Sequence, residues 1–312
     1  MNILIVGLGS IAKKHIKVLR KINKNVKIFA LRSSKKPDDF PFVQNIYEID
    51  EDIHKFDFAI ISNPTSLHFK YIDLLSKKNI PLFIEKPAIH NLKNADFLIN
   101  QIKEKKLMTY VACNLRFHPC IKFLKSSIKD RVNKINEINV YSGSYLPDWR
   151  PEQNYVNSYS ANNSLGGGVH LDLIHEMDYV LWIFGYPKNI TSNFRKTSNL
   201  NINSYDYANY FLEYDDFNAS IILNYYRRKS KRQIDIVFEN ESWTIDLINN
   251  SIINDKNQII FKTENYNLFE SYELQMKYFI KCYFENIPTM NTFEESIKTL
   301  SISLNIKNES YK

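Results

Sequence analysis

The chain of 312 residues is 44% hydrophobic, 14% aromatic and 24% charged, a balance that fits a folded globular protein and excludes a disordered one. No window of about 18 residues is free of charge, so no transmembrane helix and no membrane association are predicted. The 41 basic residues exceed the 34 acidic ones, giving a net charge of +7. This excess is spread along the chain, so it argues against a nucleic-acid partner and serves either solubility or the attraction of small anions.

The amino-terminal apolar run has no basic residue ahead of it, unlike a signal peptide. The three cysteines, Cys113, Cys120 and Cys282, show no metal-like spacing. We therefore expect a cytoplasmic protein with reduced, mostly buried thiols and without a disulfide framework.

The first predicted elements surround a glycine turn. Residues 3–6 form a short apolar run typical of a buried parallel strand, and residues 7–12, Gly-Leu-Gly-Ser-Ile-Ala, lead into a helical pattern. This order is typical of a dinucleotide site: Gly7 makes the turn, Gly9 lets backbone amides approach a pyrophosphate, and Ala12 allows close packing. The alternative is an ordinary tight turn. The cofactor-binding residues predicted here are Gly7, Gly9, Ser10, Ile11 and Ala12.

The end of the second predicted strand, residues 26–30, bears on the choice of cofactor. Sites that prefer NAD usually carry Asp or Glu there for the ribose 2′-hydroxyl, whereas this chain has Arg32 and Ser33, followed by Lys35 and Lys36. Guanidinium, hydroxyl and ammonium groups suit a 2′-phosphate. We therefore expect NADP, with contacts from Arg32 and Ser33; NAD is the alternative if this segment is only a solvated loop.

Strands and helices continue to alternate through the first third of the chain. This alternation predicts a doubly wound parallel sheet of the Rossmann type. The strands are predicted over residues 58–61, 81–84 and 108–112, and the helices over residues 65–78 and 92–105.

Polar residues follow two of these strands, at the sheet edge where ligands bind. Asn63, Pro64 and His68 follow one strand, and Glu85 and Lys86 follow the next. We expect Asn63, Pro64, His68 and Glu85 to contact the cofactor. Lys86 is interpreted either as a cation that stabilises negative charge on the reacting oxygen or as an ordinary surface lysine.

The pattern changes after about Leu115. Long strands of alternating polarity indicate an open, mostly antiparallel sheet with one covered face. The sequence thus predicts an α/β protein with a Rossmann domain over residues 1–115 and a substrate-binding α/β domain over residues 116–312. The strands are predicted over residues 137–145, 207–214, 219–226, 232–238 and 243–247, and the helices over residues 121–128, 268–284 and 292–306.

A second glycine cluster, residues 166–168, opens a predicted helix that carries His170, Asp172 and His175. Successive glycines at a helix start leave backbone amides exposed and room for a ligand. The spacing of three places Asp172 and His175 on one helix face, where a carboxylate beside an imidazole can do acid–base chemistry. The alternatives are structural polar residues at a domain seam, or a metal site formed with His170, which we do not expect.

Four segments together resemble the Gfo/Idh/MocA oxidoreductases over nearly the whole chain: residues 7–12, 85–87, 114–119 and 166–178. The resemblance implies the two-domain fold above and hydride transfer between NAD or NADP and a sugar or cyclitol, often nucleotide-linked. It maps the catalytic lysine of the family onto Lys86 and places Asp172 and His175 at the substrate. Members usually space these last two residues by four, whereas this chain spaces them by three.

The resulting hypothesis is a sugar dehydrogenase or ketoreductase. His175 would take or return the hydroxyl proton, Asp172 would hold the substrate hydroxyl and orient His175, and Lys86 would stabilise the oxyanion. Arg116 and His118 are predicted either to contact the sugar or its phosphate or to pack the domain linker. A catalytically silent sugar or dinucleotide sensor on the same fold is the alternative.

The resemblance also implies a homodimer or homotetramer acting on a small-molecule sugar. Residues 146–151 and 172–179 are similar to a subgroup associated with bacterial surface-polysaccharide and nonulosonic-acid gene clusters.

Overall fold

The computed structural model describes residues 1–33, 40–49, 56–129 and 134–305. They fall into two compact units. The first unit comprises residues 1–114 and 269–298, and the second comprises residues 115–268 and the described residues from 299 onward. No helix in the described part of the chain is long and apolar enough to cross a membrane.

The first unit contains a sheet of six parallel strands in the order β3-β2-β1-β4-β5-β6. This confirms the predicted doubly wound Rossmann sheet. The order reverses between β1 and β4, the point of such a sheet where ligands bind. The strands are β1 Asn2–Val6, β2 Lys27–Leu31, β3 Val43–Ile46, β4 Phe58–Ile61, β5 Leu82–Glu85 and β6 Thr109–Ala112; the helices between them are α1 Ser10–Ile22, α2 His68–Lys77 and α3 Ala95–Glu104.

The second unit contains an eight-stranded sheet in the order β14-β13-β12-β11-β7-β10-β9-β8. The β7–β10 pair is parallel and the other neighbouring pairs are antiparallel, as predicted for a mostly antiparallel sheet. The strands are β7 Ile135–Tyr145, β8 Asn189–Arg195, β9 Tyr207–Glu213, β10 Asn218–Asn224, β11 Tyr226–Phe238, β12 Ser242–Asp246, β13 Ser251–Asn254 and β14 Ile259–Lys262.

Three helices also belong to the second unit: α4 Pro119–Lys129, α5 Val169–Asp172 and α6 Ile174–Phe184. Leu124 of α4 and Met177 of α6 lie in one hydrophobic core with the inward side chains of the sheet, such as Val140 and Ile221. The covered face predicted from the alternating polarity is therefore the face that these helices pack against.

The chain returns to the first unit in α7 Leu268–Glu285, which precedes α8 Phe293–Ser303. Phe279 of α7 is fully buried, with its ring centroid 5.1 Å from that of Phe58 and 5.4 Å from that of Phe83. The sequence predicts one domain over residues 116–312, whereas the structure places residues 269–298 of that range in the first unit. An apolar helix face shows that the helix packs on a core, but not which of two sheets supplies that core.

Candidate active site

The glycine turn of the first unit leaves open space at the start of α1. Gly7 has a φ of +86° and donates its N–H to the Leu31 carbonyl at 2.9 Å, and a Cβ there would lie 3.1 Å from the Asn63 Cα. Gly9 is the residue before α1, and a Cβ there would meet no atom within 4 Å. The first turn contains no acidic residue, so the amino terminus of the helix suits an anion such as a pyrophosphate.

The neighbouring residues of this turn have different surroundings. Ser10, the first residue of α1, is exposed; Ile11 is half-buried; and Ala12 is completely buried against the sheet, as close helix packing requires. Ser10 and Ile11 are thus the accessible side chains of the predicted set.

Asn63, directly after β4, supplies an independent indication of a ligand. Both polar atoms of its side chain are buried, and among the described residues neither has a hydrogen-bond partner. A buried amide without partners costs free energy, and this one lies beside Gly7. Exposed Pro64 follows it. The open helix terminus and the Asn63 amide fit the dinucleotide that the sequence predicts.

His68 holds two loops of the first unit together. Its Nε2 lies 2.9 Å from the carbonyl oxygen of Asn63 and its Nδ1 lies 3.1 Å from that of Ala88. The ring is buried, and this burial lowers its pKa below the usual value. His68 therefore braces the loop after β4 against the loop after β5, and both ring nitrogens face protein carbonyls.

Glu85 and Lys86 lie at the carboxyl end of β5. Glu85 is buried, and its Oε1 is 2.6 Å from Nε2 of His15 on α1. The sequence predicts a cofactor contact for Glu85, but its only sign of His15 is an imidazole on the buried face of α1. Lys86 is half-buried, and its peptide bond to Pro87 is cis.

Arg32 and Ser33 follow β2. Arg32 is half-buried and donates its backbone N–H to the Ile46 carbonyl at 2.9 Å, while Ser33 is exposed. Lys35 and Lys36 lie outside the described residues.

The prediction of one continuous helix after the second glycine cluster is wrong. The helix breaks at Leu173, where φ is −98° and ψ is 31°. Asp172 is the last residue of α5, and His175 lies in the first turn of α6. The spacing of three therefore does not place them on one helix face.

The prediction of exposed glycine amides is wrong for Gly166 and Gly167. The N–H of Gly166 donates to the Asn163 carbonyl and that of Gly167 to the Asn162 carbonyl. A Cβ on Gly167 would lie 2.1 Å from the carbonyl oxygen of Tyr159. Glycine is needed there because two backbone segments approach each other, not because a ligand does.

Asp172 is buried and is held by tyrosines that the sequence analysis did not identify. Its Oδ2 accepts a hydrogen bond from the Tyr225 hydroxyl at 2.5 Å, and the Tyr159 hydroxyl lies near enough to feel the charge of the same carboxylate. Burial, and then the charge of Asp172, raises the pKa of both tyrosines well above the usual value. Both tyrosine hydroxyls therefore stay protonated, and the carboxylate accepts from that of Tyr225.

His175 and His170 differ in exposure. His175 is half-buried, whereas His170 is buried and stacked on Phe194 with ring centroids 5.0 Å apart. Burial lowers the pKa of His170 to about 4. Within the described ranges, no group of three His, Cys, Asp or Glu side chains is arranged to hold a metal ion.

Arg116 is engaged inside the second unit. Its Nε and Nη2 donate to the two carboxylate oxygens of Asp178 at 2.9 and 2.7 Å, with both side chains buried. Its guanidinium also lies 5.3 Å from the ring centroid of Trp182. These contacts fit the packing alternative for Arg116.

His118 is likewise buried. Its Nε2 lies 3.2 Å from the Leu247 carbonyl oxygen and 3.1 Å from Asn250 Oδ1, and its Nδ1 accepts from the Cys120 backbone N–H. Burial is the main cause that lowers its pKa to about 4. Both ring nitrogens are thus bonded within the protein, which again fits packing.

Two family models match the chain. The model of the Gfo/Idh/MocA oxidoreductase family described as an NAD-binding Rossmann fold matches residues 1–113. The model of the C-terminal alpha/beta domain of the same family matches residues 129–251. The matches thus take in the glycine turn as well as Asp172 and His175.

Curated relatives and solved structures agree with these matches. The chain is 25% identical over 196 residues to scyllo-inositol 2-dehydrogenase (NADP(+)) IolW of Bacillus subtilis, covering 62% of this chain and 53% of that protein. It is 26% identical over 195 residues to myo-inositol 2-dehydrogenase of Thermotoga maritima, covering 59% and 55%. The chain thus spans about half the length of these curated relatives.

A solved structure of levoglucosan dehydrogenase, in complex with NADH and levoglucosan, matches with a TM-score of 0.85 at 14% identity, over 98% of this chain and 96% of that chain. At this identity the likeness shows the shared fold alone. Together with the two family models, which match parts of both units, it leads to one conclusion: the chain belongs to the Gfo/Idh/MocA oxidoreductase family.

Proposed function

We propose that the protein is an NAD(P)-dependent dehydrogenase or ketoreductase that transfers hydride between nicotinamide and a ring carbon of a sugar, sugar nucleotide or cyclitol. The observation that carries this proposal is the glycine turn, where the open start of α1 adjoins the buried side-chain amide of Asn63, which has no hydrogen-bond partner in the described part of the chain. The substrate class is supported by relatives named as inositol and levoglucosan dehydrogenases. We assign cofactor binding to the first unit and substrate binding to the second.

Each proposed catalytic side chain has a separate task. Bound nicotinamide supplies or accepts the hydride. The Lys86 ammonium, at the ligand-binding end of β5, stabilises negative charge on the reacting oxygen. His175 takes or returns the hydroxyl proton, and its partial exposure leaves it accessible. The Asp172 carboxylate accepts a hydrogen bond from a substrate hydroxyl, since one carboxylate can accept several hydrogen bonds and its Oδ2 already accepts that of Tyr225.

We expect Lys86→Met to lower kcat by ~10², equivalent to about 3 kcal/mol, because it removes a positioned charge from the reacting oxygen. The protein would be mixed with either cofactor and a panel of free sugars, cyclitols and sugar nucleotides, and the absorbance of reduced nicotinamide followed. Cofactor affinity, measured by fluorescence titration, should be unchanged.

Lys93→Met is the matched control, because it removes the same charge from an exposed site seven residues away. It should turn over like the wild type. Near-normal kcat in Lys86→Met would contradict the assignment, and tight cofactor binding without turnover of any panel member would favour the sensor hypothesis.

We propose NADP as the preferred cofactor, supported by Arg32 in place of an acidic residue after β2. Arg32→Ala should weaken NADP binding by about 10-fold or more, the loss expected for a charge-assisted hydrogen bond, and affect NAD far less. Both dissociation constants would be measured by fluorescence, with Arg20→Ala, on the same unit, as control. Equal losses for the two cofactors, or a wild-type preference for NAD, would show that Arg32 does not read the 2′-phosphate.

A further inference from the structure

We propose that Tyr225 and Tyr159 are positioning residues that hold the Asp172 carboxylate in the orientation in which it meets a substrate hydroxyl. The proposal rests on the function proposed above, since it gives these tyrosines a task only if Asp172 binds substrate. They act through Asp172 and need no contact with the reacting atoms.

The first argument is the geometry of the carboxylate. The Tyr225 hydroxyl donates to Oδ2 of Asp172 at 2.5 Å, and both side chains are buried. The Tyr159 hydroxyl lies near enough to feel the charge of the same carboxylate. Because the Tyr225 donor is fixed in place, rotating the carboxylate about its Cβ–Cγ bond would break this hydrogen bond in a buried site, which is costly.

The second argument is that the two tyrosines come from separate parts of the second unit. Tyr225 directly follows β10 in the sheet, whereas Tyr159 begins a short turn, residues 159–161. That turn lies so close to Gly167 that a Cβ there would be 2.1 Å from the Tyr159 carbonyl oxygen. Asp172 is therefore hydrogen-bonded from the sheet side by Tyr225, and the turn that carries Tyr159 packs against the glycine segment ahead of it.

The third argument is that the tyrosines can only donate. Burial and the nearby charge of Asp172 raise the pKa of both hydroxyls well above the usual value, which keeps them protonated and excludes them as bases.

Trp149 covers Tyr225 edge-on, with ring centroids 5.4 Å apart, and its Nε1–H donates to Ser144 Oγ at 2.8 Å. Trp149 is 38% exposed, so this connected set of side chains reaches from the surface of the unit to the carboxylate.

A double-mutant cycle distinguishes positioning from general structural support. We expect Tyr225→Phe to lower kcat/KM by about 10- to 100-fold, since misplacing a catalytic contact is that costly. In Asp172→Asn the carboxylate is already absent, so adding Tyr225→Phe should change kcat/KM little further. If the fold losses in kcat/KM of the two single variants instead multiply in the double variant, the proposal is overturned, because Tyr225 then does not act through Asp172.

Tyr210→Phe is the matched control. Tyr210 is fully buried in the same unit, and its hydroxyl donates to the Ser303 carbonyl at 2.8 Å. This variant should lose stability yet keep kcat/KM. Tyr159→Phe is a second variant that removes the other nearby hydroxyl and should repeat the non-additivity with Asp172→Asn.

The same cycle is to be measured on the free energy of unfolding in the absence of cofactor and substrate, which reports the contact without turnover. Coupling between Tyr225 and Asp172 is expected there as well, and coupling in stability without coupling in kcat/KM would overturn the positioning role, because it would show structural support alone. An inactive Asp172→Asn beside a fully active Tyr225→Phe would overturn the positioning role alone. An active Asp172→Asn would overturn the proposed catalytic task of Asp172, and the positioning role with it.

Discussion

His175→Asn is expected to slow the oxidation by about 10² to 10⁴ and to flatten its dependence on pH, as expected for loss of a general base. A base must be unprotonated to accept the hydroxyl proton, so the wild-type rate should rise with pH as the imidazole loses its proton. Asparagine does not titrate, so the variant should lack this rise. The measurement is kcat and kcat/KM across the pH range in the oxidative direction.

His170→Asn is the matched control for this variant, since it makes the same substitution five residues earlier. His170 is stacked on Phe194, and burial lowers its pKa to about 4. Its ring is therefore neutral well above pH 4, and replacing it should leave the profile around neutral pH unchanged. A His175→Asn enzyme that keeps the wild-type profile would assign the proton transfer to another group.

Arg116→Met is expected to destabilise the second unit by about 3–5 kcal/mol, the cost of leaving a buried carboxylate without its cation. Arg116 makes two hydrogen bonds to Asp178, and the two side chains are only 5% and 3% exposed. Unfolding in urea can be followed by tryptophan fluorescence, because Trp149, Trp182 and Trp243 all belong to the second unit.

Lys262→Met removes the same charge from an exposed pair, in which Lys262 Nζ is 3.6 Å from Glu264. Lys262→Met should lower the free energy of unfolding by less than about 1 kcal/mol. Replacing both members of the buried pair, as Arg116→Met with Asp178→Leu, should restore much of the stability, since no charge is then left unpaired. If Arg116→Met lowers the free energy of unfolding by less than about 1 kcal/mol, the structural role is contradicted, and the predicted contact of Arg116 with the substrate is favoured instead.

The sequence predicts the central strands of the first unit well and its edge poorly. The strand predicted over 58–61 is β4, Phe58–Ile61, and that predicted over 81–84 is β5, Leu82–Glu85. Strands in the middle of a parallel sheet are covered on both faces and appear as continuous apolar runs. β3, Val43–Ile46, was not predicted because it is an edge strand, with Gln and Asn between its apolar ends.

In the candidate site, the sequence predicts the features that depend on neighbouring residues and misses the contacts between residues far apart in the chain. The glycine turn is a local pattern, and Gly7 and Gly9 lie as predicted at the start of α1. The tyrosines beside Asp172 are 13 and 53 residues away in the sequence, at Tyr159 and Tyr225. No local pattern joins residues that far apart, so these contacts, like the break at Leu173, appear only once the chain is folded.

The return of α7 to the first unit has a consequence for biosynthesis. A ribosome that has completed residues 1–114 has made all six strands of the dinucleotide sheet, but not the helix that supplies Phe279 between Phe58 and Phe83. The second unit is also incomplete at this stage, because Ile302, near the end of the described chain, belongs to its core. Each unit therefore lacks part of its core packing until the last part of the chain is made. A nascent or prematurely terminated chain therefore exposes aromatic surface of the kind that aggregates or engages chaperones.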